Sequence, residues 1–337
     1  MNRVRRRTIR WVISAAFACA AGVCGSFAYY ALTEIAVGPL PLQFSINSGS
    51  SLRGAARQMA DSGVLRHPAL FVTLGRLMGE AANLKAGTYE IDRPVTPLEL
   101  LRKITAGDYT LVGITFVEGW TFRQARKALD EQPGIVHDTR GMTDADLLKR
   151  LAIDQRSPEG WFFPDTYFFS NGTSDVRILR RAYGLMKSHL AAQWEKRAAN
   201  LPLATPYEAL VLASIIEKET GRNEERALVA AVLVNRLRLG MRLQTDPAVI
   251  YGLGDAFDGN LRRADLLADT AWNTYTRSGL PPTPISLPGL ASLNAALNPA
   301  ASDALYFVAR GDGSHYFSRT LGEHDRAVTK YQRSGRR

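Results

Sequence analysis

From Trp11 to Leu32 the chain is apolar or small and carries no charge; beyond it, short strand-like and helix-like patterns alternate. At about 1.5 Å per residue, a helix over that stretch spans roughly the ~30 Å hydrocarbon core of a bilayer. Leu42 to Ile46 then alternates apolar and polar positions as a strand does. Ser50 or Ser51 caps a helix ending near Gly63, Pro68 opens a second helix, and Gly87 to Ile91 predicts another strand. Thr96-Pro97-Leu98-Glu99 is a capping box with proline at the first helical position, and its helix stops at Gly107. Leu111 to Val117 predicts a third strand, and Thr121 to Gln124 caps the next helix.

From about Ser174 the pattern becomes helical, with helices predicted over Asp175 to Ala198, Pro206 to Thr220 and Glu224 to Leu239. Leu305 to Ala309 and His315 to Ser318 flank Gly311-Asp312-Gly313, a hairpin signal, and Thr320 to Glu323 caps a final helix. The fold class is therefore α+β: an N-terminal transmembrane helix, a small α+β domain and a helix-rich domain with a small sheet. The expected boundaries are 1–10 for a basic tail, 11–32 for the membrane helix, 41–135 for the small and connecting domain, and 140–337 for the catalytic domain.

The charge changes the picture only once it is located. Of the net +10, eight charges come from Arg3, Arg5, Arg6, Arg7 and Arg10 at one end and Arg333, Arg336 and Arg337 at the other; the body between them carries +2. A nucleic-acid binder wears its basic patch on the folded body, so this class is excluded as a partner. The N-terminal arginines precede the uncharged run and Glu34 follows it, so the positive-inside rule puts residues 1–10 in the cytoplasm and the body outside. A cleaved signal peptide is the alternative, with a small-x-small site at Ala16-Phe17-Ala18. The apolar run outlasts the usual ~15-residue signal core, which favours an uncleaved single-pass anchor. Both cysteines, Cys19 and Cys24, lie inside this run, so the body has neither a disulfide nor a thiol nucleophile. Cys19 is a poor match to a lipid-attachment site. The five histidines show no metal-ligand spacing, and no phosphate loop or nucleophile elbow is present. Neither a metal nor a cofactor is expected.

Chemistry concentrates in Thr205 to Gly221. Thr205 caps, Pro206 takes the first helical position and Glu208 is expected to close a capping box. Ala209 to Ile216 is apolar all round except for Ser214, so the helix is buried all round. It ends in Glu217-Lys218-Glu219. At 100° per residue the two glutamates face different ways and do not form a dyad. Ala213 and Ser214, one turn before Glu217, leave space beside it. Apolar surroundings and the negative helix end both favour a protonated acid there, suited to protonating a leaving oxygen. On this stretch alone, a solvated polar helix end remains open.

The stretch LVLASIIEKETGRNEERALVAAVLVNRLRLGMRLQTDPAVIYGLG resembles the endolytic murein transglycosylases, the MltG or YceG-like family. So do EGWFFPDTY at Glu159 to Tyr167, NTYTRSGLPPTPISLPG at Asn273 to Gly289, and the order of anchor, small domain and catalytic domain. The resemblance implies that Glu217, the first glutamate of EKET, is catalytic, and that the small domain is a LysM-like glycan-binding fold. It further implies cleavage of the bond between N-acetylmuramic acid and N-acetylglucosamine in nascent peptidoglycan, leaving 1,6-anhydro ends and terminating strand elongation. Glycan strands are then the substrate, peptidoglycan synthases are candidate protein partners, and the enzyme sits in the bacterial inner membrane with its catalytic domain in the periplasm.

Around Glu217, the expected substrate-binding residues are Gln244, Asp246, Asn273, Tyr275 and Trp161. Gln244 can hydrogen-bond sugar groups. Asp246 is either a second acid or the cap of a helix beginning at Asp246-Pro247. Asn273 and Tyr275 lie in a loop suited to lining a groove. Trp161 is the stacking candidate in an aromatic cluster with Phe162, Phe163 and Tyr167 that otherwise reads as core. Glu159 either orients the site or begins a turn, and Glu118-Gly119-Trp120 is expected to be an interdomain contact of the small domain. No second carboxylate is apparent beside Glu217, as suits a reaction without water. Two other readings stay open: a muramidase using Asp246 as its second carboxylate, and a non-enzymatic module tethering glycan to the membrane.

Overall fold

The computed structural model of the chain describes residues 2–36, 40, 42–91, 93–108, 112–169 and 172–333. Pro41 and Leu111, at the edges of expected elements, and Arg336 and Arg337 lie outside them. The chain divides into two compact units, one running to Val112 and including Phe168–Thr173, the other comprising Gly113–Tyr167 and Ser174 onward.

The first unit contains α1 (Asn2–Leu32), β1 (Leu42–Ile46), α2 (Leu52–Asp61), α3 (Pro68–Leu77), β2 (Gly87–Ile91) and α4 (Pro97–Ala106). β1 and β2 pair antiparallel with Phe44 opposite Tyr89, whose rings stack at 5.4 Å. In α2, Leu52, Ala55, Ala56 and Met59 fall on one stripe and are all buried, the 3.6-residue period turned into a core face. The Thr96–Glu99 capping box forms as expected, with bonds of 2.8 and 3.2 Å, and Gly107 ends α4 at φ 80°. The end of α1 joins this core: Ala31 is buried, and Ile35 N–H donates to the Val95 carbonyl at 2.8 Å. Further back α1 has no such cover, with Trp11, Phe17 and Val23 about 70% exposed or more. Among the described residues no helix is long and apolar enough to cross a membrane. The side chains of Val12, Ala15 and Ala16, within the expected anchor, are not among those described.

The later elements are β3 (Val112–Thr115), α5 (Phe122–Glu131), β4 (Ile135–Val136), α6 (Asp144–Leu151), β5 (Thr166–Phe169), β6 (Thr173–Ser174) and α7 (Asp175–Glu195). They continue with α8 (Pro206–Glu219), α9 (Asn223–Arg238), α10 (Asp246–Leu253), α11 (Arg263–Leu267), α12 (Leu290–Leu297), β7 (Tyr306–Ala309), β8 (His315–Ser318) and α13 (Leu321–Val328). In the second unit α8 is the central helix, packed against α7, α9, α10 and α12. Its residues from Ala209 to Ile216 are all buried, as their unbroken apolar run requires. β7 and β8 form the expected hairpin. Glu225 of α9 holds it, accepting from His315 N–H at 3.0 Å and meeting His315 Nδ1 at 2.7 Å.

Three departures from the sequence pattern matter for the site. Helices α6 and α12 are only eight residues each, too short for periodicity to declare them. Thr205 caps α8, but Glu208 does not close the box: its carboxylate accepts from Ala204 N–H instead. The third departure concerns the boundary. Glu118-Gly119-Trp120 belongs to the second unit, not to the small domain, because the division falls at Val112 rather than near residue 135.

Candidate active site

Ser214 organises the end of α8. Its hydroxyl donates to the Val211 carbonyl at 2.7 Å and accepts from Ile285 N–H at 3.0 Å, while its carbonyl accepts from the Ser286 hydroxyl at 3.0 Å. The expected gap beside Glu217 is therefore filled by backbone, and Ser214 pins the Ile285–Ser286 strip to the helix. That strip continues into a short ladder with the 118–120 loop: Leu287 N–H donates to Trp120 O at 2.7 Å, and Gly119 N–H to Leu287 O at 2.9 Å. Lys218 Nζ donates to the Gly119 carbonyl at 3.2 Å. One residue beyond Pro288, Gly289 is the cap residue of α12 and donates its N–H to Glu217 Oε2 at 2.9 Å.

The other oxygen, Oε1, accepts from Arg226 Nη2 at 3.1 Å, and the two side chains are only 5% and 8% exposed respectively. Arg226 also donates to the Asn223 side chain, while its Nε has no partner among the described residues. The apolar wall expected around Glu217 is thus corrected to two donors, one of them a buried cation. Such a pair is costly to bury and justified by geometry: each carboxylate oxygen has its own hydrogen bond and is oriented by it. A carboxyl so fixed can present one face to a substrate and exchange a proton there without swinging.

Glu219, two residues on, leaves the helix on a different face and meets other groups. Burial first, and the negative charge of Asp246 second, push its carboxyl up to about 8, with Arg236 opposing. Asp246 accepts from the Tyr275 hydroxyl at 2.6 Å. Burial and that bond raise Tyr275 well above the usual phenol range. Arg236 is tied to the carbonyls of Leu305 and Leu243, both at 2.7 Å. Asp246 does not cap α10. Thr245 occupies the cap position and makes no side-chain cap bond, being locked instead to Thr274 with its N–H on Thr274 Oγ1 at 2.9 Å.

The expected binding residues therefore separate. Gln244 and Asp246 are exposed and Tyr275 half-buried, gathered by the Thr245–Thr274 contact and by Gln244 N–H on Thr274 O at 3.1 Å. Asn273 is corrected to a structural residue. It is 1% exposed, its amide nitrogen donates to the carbonyls of Asp265, Leu266 and Ala268, and its oxygen accepts from Tyr275 N–H. Both amide N–H donors are spent on backbone carbonyls. Trp161 is corrected likewise: it is 7% exposed and stacks on Tyr207 at 5.9 Å, so its ring face is already covered. Gly160 beside it has φ 81°, and a β-carbon there would lie 2.6 Å from Pro284, so only glycine permits this approach. Glu159 is buried and also lies in a turn, closed by Trp161 N–H on the Pro158 carbonyl at 3.2 Å. It accepts from Phe122 N–H at 2.9 Å and from the Tyr251 hydroxyl at 3.1 Å, and burial pushes it up to about 7.

Sequence reasoning missed Arg226 and Gly289, and it gave Glu118 to an interdomain contact of the small domain. The first was detectable as a lone cation heading the apolar run Ala227 to Val234, a position a buried helix tolerates only with a counter-charge. Gly289 and Glu118 gave no local signal.

Comparison with known proteins covers both units. The family model described as "YceG-like family" matches residues 44–330. The endolytic murein transglycosylase of Bacillus subtilis (strain 168) is 29% identical over 308 residues, covering 86% of this chain and 84% of that protein. The endolytic murein transglycosylase of Streptococcus pneumoniae serotype 2 is 27% identical over 323 residues, and the match spans 58% of that longer protein. Among solved structures, a yceG-like protein from Listeria monocytogenes superposes with a TM-score of 0.54 at 29% identity, covering 85% of this chain and 98% of that one.

Proposed function

The chain belongs to the YceG-like family, and from that premise we propose that it is an endolytic peptidoglycan lytic transglycosylase with Glu217 as its catalytic carboxyl. The observation that carries this reading is Glu217 at the end of a buried helix, held at both oxygens by Arg226 and Gly289 N–H. In the reaction, Glu217 protonates the oxygen bridging N-acetylmuramic acid and N-acetylglucosamine as the bond to C1 breaks. The resulting carboxylate takes the proton of the muramic 6-hydroxyl while that oxygen bonds to C1, closing a 1,6-anhydro ring without water. The exposed Gln244 and Asp246 and the Tyr275 hydroxyl are the polar groups offered to the sugars in this reading. The muramidase alternative would use Asp246, which accepts from the Tyr275 hydroxyl and lies within electrostatic reach of Glu219.

The uncharged run from Trp11 to Leu32, with arginines before it and exposed apolar side chains along it, supports a single-pass inner-membrane anchor with a periplasmic body. Strand β1, helices α2 and α3 and strand β2 follow the order expected of a LysM-like domain. A polar groove of about 360 Å³ lined by Gln43, Ser45, Gln58, Asp61 and Thr88 supports glycan contact there. In this reading the small unit, to Val112, binds glycan and the second unit cleaves it, in place of the expected boundaries near 41–135 and 140–337, and peptidoglycan synthases supplying nascent strands are the protein partners.

The test is a product analysis. Full-length protein in detergent, acting on isolated sacculi, should release muropeptides that are one water lighter than reducing-end products. Reducing ends would mark a hydrolase, and binding without release would mark a tether; either result sinks the transglycosylase reading.

A further inference from the structure

We infer that Glu118 is a second active-site carboxyl, sharing one proton with Glu217 and so keeping the acid of the cleavage loaded opposite Arg226. The inference rests on the catalytic reading of Glu217 and adds a positioning residue that acts through it.

The geometry brings the two carboxyls to one point. Gly289 donates its N–H to Glu217 Oε2, and a β-carbon built on the same residue would run into the Glu118 carboxyl. Both acids therefore lie against Gly289, the cap residue of α12. The loop behind Glu118 is equally close to the catalytic helix: a β-carbon on Gly119 would lie 3.8 Å from Glu217 Cγ and 3.7 Å from Lys218 Cδ. The two backbone bonds to Leu287 and the Lys218 bond to Gly119 O fix that loop, so the approach is built in.

Charge then decides the protonation of the pair. The charged groups facing Glu118 are Glu217 and Lys218 from α8 and Arg226 from α9; the first turn of α12 adds none. Lys218 directs its ammonium to Gly119 O, leaving one buried guanidinium against two carboxyls. A lone cation beside an acid favours its carboxylate, the wrong form to protonate a leaving oxygen. With Glu118 present, two like charges compete for one cation and the pair retains a proton. Partial desolvation of its carboxyl first and the Glu217 charge second raise Glu118 above its ordinary range, with Arg226 opposing, although the residue as a whole stays open to solvent. No hydrogen bond or ion pair holds its carboxyl among the described residues, and the residue is exposed, so it can exchange that proton with solvent. The stoichiometry of cleavage is unchanged. Glu217 gives one proton to the departing oxygen and recovers one from the 6-hydroxyl; Glu118 sets the fraction of enzyme that begins the cycle protonated.

The test compares pH–rate profiles of full-length wild type, Glu118→Gln and Gly289→Ala, measured as muropeptide release from sacculi between about pH 5 and pH 8. Glu118→Gln should move the alkaline limb to lower pH, costing about tenfold near neutrality with most of the rate recovered at the acid end. Glu118→Asp should restore the limb in part. Gly289→Ala displaces the Glu118 carboxyl while keeping the N–H on Glu217, and should move the limb the same way. A wild-type profile for Glu118→Gln overturns the inference, as does an equal loss at every pH, which a purely structural role would produce. Should Glu118→Gln not fold, an unmoved limb in Gly289→Ala overturns it alone. Failure of the catalytic reading is separately visible, because Glu217→Gln would then still cleave.

Discussion

Glu217 and Glu219 stand two residues apart at the end of one helix, yet the fold gives them opposite surroundings. Glu217 faces α9 and the start of α12, where a buried guanidinium and a backbone N–H take its two oxygens. Glu219 faces α10 and the Tyr275 loop, where burial and the Asp246 charge push its proton affinity up to about 8 and only Arg236 opposes them. A rotation of about 200° around α8 separates the two environments. The comparison teaches that an acid's function is set by what packs on its side of the helix. Proximity in sequence says little about the surroundings an acid meets.

The sharpest way to break the comparison is to neutralise each acid in turn. Glu217→Gln should lower sacculus cleavage by about 10²- to 10⁴-fold, the usual contribution of general acid–base catalysis, while Glu219→Gln remains active. If the losses are reversed, the catalytic assignment belongs to Glu219. Removing the partner instead of the acid addresses stability. Arg226→Met leaves Glu217 buried without its cation and should cost about 3–5 kcal/mol in urea unfolding. The Glu217→Gln, Arg226→Met double variant should recover part of that cost. A double variant no more stable than Arg226→Met alone would show that the pair is not the unit disturbed.

A smaller effect separates the two faces by pH. Glu219 and Glu159 both bind protons more tightly when folded, to about 8 and about 7, than the ordinary carboxyl value of 4.5 that the unfolded chain retains. Above that value the folded state holds protons the unfolded state has released. Their stabilising contribution is therefore full at low pH and lost as pH rises through about 7 and 8. The melting temperature should fall across that window, and Glu219→Gln or Glu159→Gln should flatten the slope. Carboxylates held below their ordinary range, such as Glu225 beside His315, titrate at lower pH and do not offset it. A melting temperature that climbs from pH 5 to pH 8 would falsify this account. The smallest effect is expected at Asp246. Asn in its place still accepts from Tyr275, so Asp246→Asn should cost at most about 1 kcal/mol and should weaken the Glu219 slope by removing a like charge.

The local grammar of the chain was legible in detail. Thr96-Pro97-Leu98-Glu99, Thr121 to Gln124 and Thr320 to Glu323 each form the capping box their spacing announces. Glu217 was legible as the polar end of a helix with no polar face. The substrate-binding set was less so. Asn273 and Trp161 have the right chemistry for sugar, but hydrogen-bond valence and ring faces are finite. Three carbonyls occupy both N–H donors of the first, and Tyr207 covers one face of the second.

What the sequence by itself determined is what adjacent residues can enforce: helix starts, the burial of α8, the alternation of β1, and the uncharged N-terminal run. Only the tertiary structure decided which groups meet at Glu217. Arg226 reaches it from nine residues away, Gly289 from seventy-two, and the Gly119 loop bonds Lys218 across ninety-nine. No local propensity links positions so far apart. They are joined because burying α8 on every side forces α9, α12 and the 118–120 loop against its end, and the backbone bonds through Ser214 and Leu287 then set where each charge comes to rest.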